Sequence, residues 1–151
     1  PFLWRFHEVH HLDEHLDTSS AIRFHLGEIF FATFIRALVI IVFAVPFTSV
    51  VLFEIMVLAF TLFHHSNIAL PTAFERVLSK LIITPSIHWV HHHAIRKDTD
   101  SNYGTIFSFW DILFFTQSKT RRFGAMKIGV EGKKDTRFIA LLLKPFLSNK
   151  D

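Results

Sequence analysis

The chain has 151 residues, half of them hydrophobic and 19 of them Phe, with a formal charge of +3. That length makes one domain, and so apolar a composition excludes an ordinary small soluble domain and points to a membrane. With no cysteine, disulfides and thiolate metal sites are excluded; any metal must be held by His, Asp or Glu, and eleven histidines are present, most of them clustered. The basic residues gather late, in Lys119-Thr120-Arg121-Arg122, Lys127, Lys133 and Lys134. No nucleic-acid motif or stacking platform accompanies them, so nucleic acid is not expected as a partner.

Residues 1–28 are polar and His-rich. Their pattern predicts a helix to about Asp13, and Asp17-Thr18-Ser19-Ser20 predicts a break or a helix cap. Residues 29–47 are apolar apart from Thr33 and Arg36, and about 20 such residues cross the hydrocarbon core as a helix. Pro46 and Thr48-Ser49 predict a turn, and residues 50–65 a second apolar stretch. Together the two predict a transmembrane hairpin, because so small a chain has little in which to bury two apolar helices. Arg36 and Glu54 lie within these stretches, where an unpaired charge is costly. Either they face each other across the hairpin or Glu54 reaches the interface near the turn.

In residues 68–87, Phe74, Val77, Leu78, Leu81 and Ile82 recur at helical spacing opposite Glu75, Arg76 and Lys80. The pattern suits a helix at the membrane surface or one facing a core. Residues 88–117 hold a second His cluster, a polar loop and the aromatic run FSFWDILFFT; residues 118–151 are basic and loop-rich with an apolar patch from Phe138 to Phe146. Two crossings return the chain to the side it left. Both His clusters and the basic tail therefore share one face, which Lys and Arg mark as cytoplasmic.

The clusters are His7-Glu8-Val9-His10-His11 and His88-Trp89-Val90-His91-His92, both H-x-x-H-H. On a helix, positions i, i+3 and i+4 share a face, so each box projects three imidazoles to one side. Neutral imidazole is a ligand for iron or zinc. Crowded rings repel when protonated and are poor core residues when neutral and unpaired; a metal removes both difficulties. Arg23-Phe24-His25 and His64-His65-Ser66-Asn67 fall at the same membrane boundary, and six box histidines plus two more supply two metals with about four ligands each. The first box also matches H-E-x-x-H, the zinc-peptidase motif, with Glu8 as base. Against that reading, His10 has no role in it, and the second box repeats the three histidines with Trp89 in place of the base. A non-enzymatic metal carrier is a third possibility, but it needs ionisable residues through the membrane, and the spans hold only Arg36 and Glu54.

LWRFHEVHHLDEHLDTSSAIRFHLGE, then FHHSNIALP, then TPSIHWVHHH with DSNYGTIFSFWDILFFT, and finally LLLKPF at 141–146 together resemble the fatty acid hydroxylase / sterol desaturase superfamily, most nearly its bacterial branch related to alkylglycerol monooxygenase. The resemblance implies an all-α integral-membrane bundle with a transmembrane hairpin and a cytosolic, histidine-lined di-metal cap. By position it implies His7, His10, His11, His25, His65, His88, His91 and His92 as ligands. Arg23, Glu28, Asn67, Asn102 and Asp111 are implied as structural residues or as residues that orient the rings by hydrogen bonds. His15, His64 and His93 stand where the family usually has other residues, and read as polar surface or supporting imidazoles. Tyr103-Gly104 reads as a turn and Trp110 as packing. Also implied are two iron ions, with zinc an alternative occupant, a lipid substrate, O2 and a separate electron-donor protein. The expected reaction is oxidation of a lipid C–H bond, hydroxylation before desaturation, with boxes and C-terminus cytoplasmic. The family has an earlier H-x-x-x-H box just before an L-W-x-F-H segment. The chain starts past it, at Pro1-Phe2-Leu3-Trp4, so residues 1–151 are read as the C-terminal part of a single, longer domain.

Overall fold

A computed structural model describes residues 2–147. Among them the chain is all helical, without strands. In order come α1 (Trp4–His11), a 3-10 turn (Thr18–Ile22), α2 (Leu26–Val42), α3 (Phe47–His65), α4 (Thr72–Leu78), α5 (Pro85–His91), α6 (Arg96–Thr99), α7 (Phe109–Leu113), α8 (Phe138–Leu143) and a last 3-10 turn (Lys144–Phe146).

Local chemistry sets the boundaries. Asp17 caps the first 3-10 turn: its carboxylate accepts from the Ser19 N–H at 2.7 Å while Ser20 Oγ accepts from the Asp17 N–H at 3.1 Å. Pro85 opens α5 at a position where its missing N–H costs nothing. The predicted first span ran to residue 47, but α2 stops at Val42. Ala44 sits in the left-handed region (φ 48°) and Val45 precedes a proline, which disfavours helix; Pro46 then becomes the cap of α3. The predicted surface helix within 68–87 is only the seven-residue α4, and its Phe74 and Val77 are exposed.

Burial divides the molecule. α2 buries none of its residues, and α3 buries only His64 and His65 at its C-terminal end. The core lies beside that end and is built from Phe6, Val9, Leu12, Leu16, Ala21, Ile83 and Val90. There α3 packs against the Thr18–Ile22 turn and against α5, while α1 packs against α2 and the Lys144–Phe146 turn. Gly27 permits the α1–α2 approach: a Cβ there would lie 2.5 Å from the Phe6 ring. α3 is the one helix among the described residues that is long and apolar enough by itself to cross a membrane. α2, at 17 residues, sits at the short end of the range for spanning helices, about 17–25. An Arg36–Glu54 ion pair joins the two, and a cavity of about 500 Å³ opens between them, lined by Ile35, Val39, Val45, Val50 and Phe53.

Candidate metal centre

Seven of the eleven histidines converge. The donor atoms of His10, His65, His88 and His92 form one group, and those of His7, His11 and His91 a second; within each group all lie within 4.8 Å of one another. Three short segments bring them there. α1 carries His7, His10 and His11 on one face, α5 and its C-terminal cap carry His88, His91 and His92, and the last residue of α3 is His65. The groups abut: the His11 ring stacks on His92 at 4.3 Å between centroids and lies 4.6 Å from His91.

Hydrogen bonds fix which nitrogen faces inward. His65 Nδ1 donates to Thr61 O at 2.8 Å and His91 Nδ1 to Ser101 O at 2.7 Å. His7 Nδ1 meets Glu28 Oε1 at 2.7 Å. A carbonyl oxygen can only accept, so the rings of His65 and His91 each turn a bare Nε2 lone pair to their group, and the Glu28 carboxylate takes the Nδ1 proton of His7 so that its Nε2 faces inward. Among the described residues, the buried Nδ1 atoms of His10, His11, His88 and His92 have no hydrogen-bond partner. Packing orients at least two of these rings instead, with His10 stacked on Phe24 at 4.9 Å and His11 on His92.

The inward nitrogens are crowded. His65 Nε2 is 3.0 Å from Nε2 of both His10 and His88, His88 Nε2 is 3.1 Å from that of His92, and His7 and His11 face each other at 3.0 Å. Protonation does not relieve this. Burial first, and neighbouring rings second, hold His10, His11, His88 and His92 well below the ordinary imidazole range. Burial likewise lowers His91 to about 4. Facing lone pairs on neutral rings need a shared proton or a cation, and His88 Nε2, which faces both His65 and His92, has at most one N–H for the two. Two imidazoles sharing a metal at about 2.1 Å lie about 3.0–3.4 Å apart for angles between a right angle and tetrahedral. The observed spacings fit a metal in each group.

The other predicted residues occupy distinct places. His25, the eighth predicted ligand, stands outside both groups: Nδ1 accepts the Gly27 N–H to cap α2, which leaves Nε2–H to donate to Leu142 O at 3.0 Å. Of the five residues expected to support the ligands, Glu28 bonds directly to a ring of the two groups, that of His7. Arg23 donates to Val9 O and pairs with Asp135. Asn67 accepts from Arg122, whose guanidinium lies 3.8 Å over the Trp89 ring of the second box. Asn102, at φ 51°, donates to Ile87 O and accepts from the Ser118 N–H. Asp111 gathers the N–H groups of Tyr103 and Gly104 and the Thr116 hydroxyl into the expected turn, so tightly that a Cβ on Gly104 would meet its Oδ2 at 2.9 Å. Asn102 and Asp111 shape the loop that presents Ser101 O to His91. Trp110 is half exposed, with the Phe109 ring tilted against it at 4.6 Å.

His64 is buried, donates to Thr105 O at 3.1 Å and lies 4.0 Å from the His88 ring. His93 is buried against Asp98 at 2.7 Å, and His15 is exposed. Glu8, the base of the peptidase reading, is buried, and its carboxylate is held by Lys133 at 3.1 Å and Lys144 at 3.2 Å. A general base must stand beside the metal, and a carboxylate clamped by two lysines is not one.

The family model described as fatty acid hydroxylase matches residues 1–116. Over 144 residues the chain is 28% identical to the ornithine lipid hydroxylase OlsE of Rhizobium tropici, covering 95% of this chain and 43% of that relative. The chain thus spans less than half the length of this curated relative. No solved structure matches the chain.

Proposed function

The chain belongs to the fatty acid hydroxylase family, and from that premise we propose that it carries the metal-holding part of a membrane-bound, di-iron lipid hydroxylase that uses O2 and electrons from a separate protein. The observation that carries the reading is the convergence of seven buried or half-buried imidazoles from α1, α3 and α5 into two adjoining groups. A single structural zinc needs four ligands; this arrangement has donors for two ions. Imidazole suits iron and zinc alike, and the likeness to a lipid hydroxylase favours the redox metal.

Bound to His10, His65, His88 and His92 and to His7, His11 and His91, two irons would supply the oxidising power to take hydrogen from an unactivated carbon, chemistry that side chains alone lack. The chain's own residues do the rest. Glu28, Thr61 O and Ser101 O fix the tautomers of His7, His65 and His91, so that their lone pairs are in place before any metal arrives. Burial of His10, His11, His65 and His92 keeps water from the centre. The apolar, outward-facing sides of α2 and α3 run directly from the histidine end and suit an alkyl chain arriving from the bilayer. We place both helices across the membrane as a hairpin, with the histidines and the basic C-terminal segment on the cytoplasmic side.

The full-length protein from iron-replete cells is expected to hold two metal ions per chain and to form hydroxylated lipid only with O2. His88→Ala and His91→Ala each lose metal and product together, whereas His25→Ala keeps the metal. Undiminished O2-dependent product in the His88 and His91 variants refutes the assignment. One zinc per chain with proteolysis that depends on Glu8 would establish the peptidase instead.

A further inference from the structure

Glu8 sits between ligands in the first box, is 3% exposed, and has no role in the chemistry proposed above. Its partners come from far along the chain and from beyond the family match, which ends at residue 116. Lys133 and Lys144 approach its carboxylate at 3.1 and 3.2 Å. The same stretch of chain meets the second box. Ala94 N–H donates to Lys127 O at 2.8 Å and Gly129 N–H to His92 O at 3.1 Å, pairing residues 127–129 antiparallel to the end of that box, and Glu131 N–H adds a bond to Ala94 O at 3.2 Å. Asp135 then takes the guanidinium of Arg23, whose Nε donates to Val9 O inside the first box at 3.3 Å. Leu142 O accepts from His25, and Phe146 packs on Phe6 at 5.9 Å.

We propose that residues 126–147 form a strap that sets the two histidine boxes against each other, and that Glu8 is the positioning residue to which Lys133 and Lys144 lock it. The inference rests on the metal-centre reading and adds a determinant of that centre outside its ligands. α1 and α5 meet through their imidazoles, His11 on His92 at 4.3 Å and beside His91 at 4.6 Å, and the strap is a second link that holds the two triads from outside the rings. Backbone pairing grips one box from its C-terminal end, and charge grips the other from its back. A buried carboxylate is tolerated only while paired, and removing its partners strands the charge. This gives the strap a signature that simple packing lacks: the damage done by losing both lysines is reversed by neutralising Glu8.

The test follows the loss of bound zinc to a chelator in the full-length protein, in detergent, with helix content measured in parallel. Lys133→Met with Lys144→Met is expected to lose metal roughly 10-fold faster than wild type, and adding Glu8→Gln restores most of the retention. If the double lysine variant does not accumulate, recovery of its accumulation on adding Glu8→Gln is the same signature. Wild-type retention in the double variant, or no recovery with Glu8→Gln, overturns the strap. A wild type that takes up no metal overturns the metal-centre reading and the strap with it, whereas normal wild-type uptake beside an unresponsive lysine variant overturns the strap alone.

Discussion

A proton on the wrong nitrogen would undo this centre, and the residues around it are arranged to prevent one. His91 gives its Nδ1 proton to Ser101 O, so further protonation can occur only at the inward Nε2, in a buried site among other rings. Burial is the main cause that lowers His91 from the model-compound 6.5 to about 4, and the same cause holds His10, His11, His88 and His92 well down. The sign follows from proton counting. Between about pH 6.5 and about pH 4 an unfolded imidazole binds a proton that the folded ring refuses, so stability is full above that window and falls as the pH drops through it. His91 alone accounts for about 3 kcal/mol across the window. Protons also compete with metal for the same lone pairs, which pushes metal retention the same way. Melting temperature and metal content are therefore expected to fall together between about pH 6.5 and about pH 4. A flat or rising profile over that range would contradict neutral, inward-facing rings.

At the level of helices, Arg36 and Glu54 stand at matching depth. Each lies about 11 residues, or about 16 Å, from the histidine end of its helix, and they form an ion pair between α2 and α3. If both helices cross the bilayer, this pair sits near its middle, where one uncompensated charge costs about 2.5–3.5 kcal/mol on insertion scales. Arg36→Leu or Glu54→Leu should each lower the amount of folded protein in the membrane, and the double variant should do better than either single. Additive losses would remove the pair from the bilayer. The sequence made this pairing one of two alternatives, and it made the helices plain, because length and hydropathy are carried by side chains one can read. It also placed six of the seven converging rings by i, i+3, i+4 spacing alone. His65 rather than His64 came from the family likeness, and spacing could not separate two neighbours. What spacing could not reach was anything made by backbone: the carbonyls of Thr61 and Ser101 that fix tautomers are silent in a sequence. The cap that His25 makes on α2 was hidden for the same reason, since the N–H it accepts belongs to Gly27. Glu8 was legible as part of a motif, but not its partners more than a hundred residues away.

The whole molecule has two surfaces with opposite demands. The end that holds the rings is packed by α1, α5 and the C-terminal strap, while α2 and α3 project from it with their apolar side chains uncovered. In water, exposed Phe30, Phe34, Phe47 and Ile55 would each forfeit about 1.5–3 kcal/mol of burial that a bilayer or a further packing partner would supply. Because α2 leaves the histidine end and α3 returns to it, the turn at residues 43–46 must lie across the membrane from the rings if the pair spans. Residues 1–151 hold no cysteine, so a single cysteine introduced among them reports its own side of the membrane. In sealed cells, a single Ala44→Cys in the turn should react with a membrane-impermeant maleimide added outside. A single Thr120→Cys in the basic segment should react only after permeabilisation. The opposite pattern would put the histidines on the outer face, and equal labelling of both from outside would mean that α2 and α3 dip into one leaflet together.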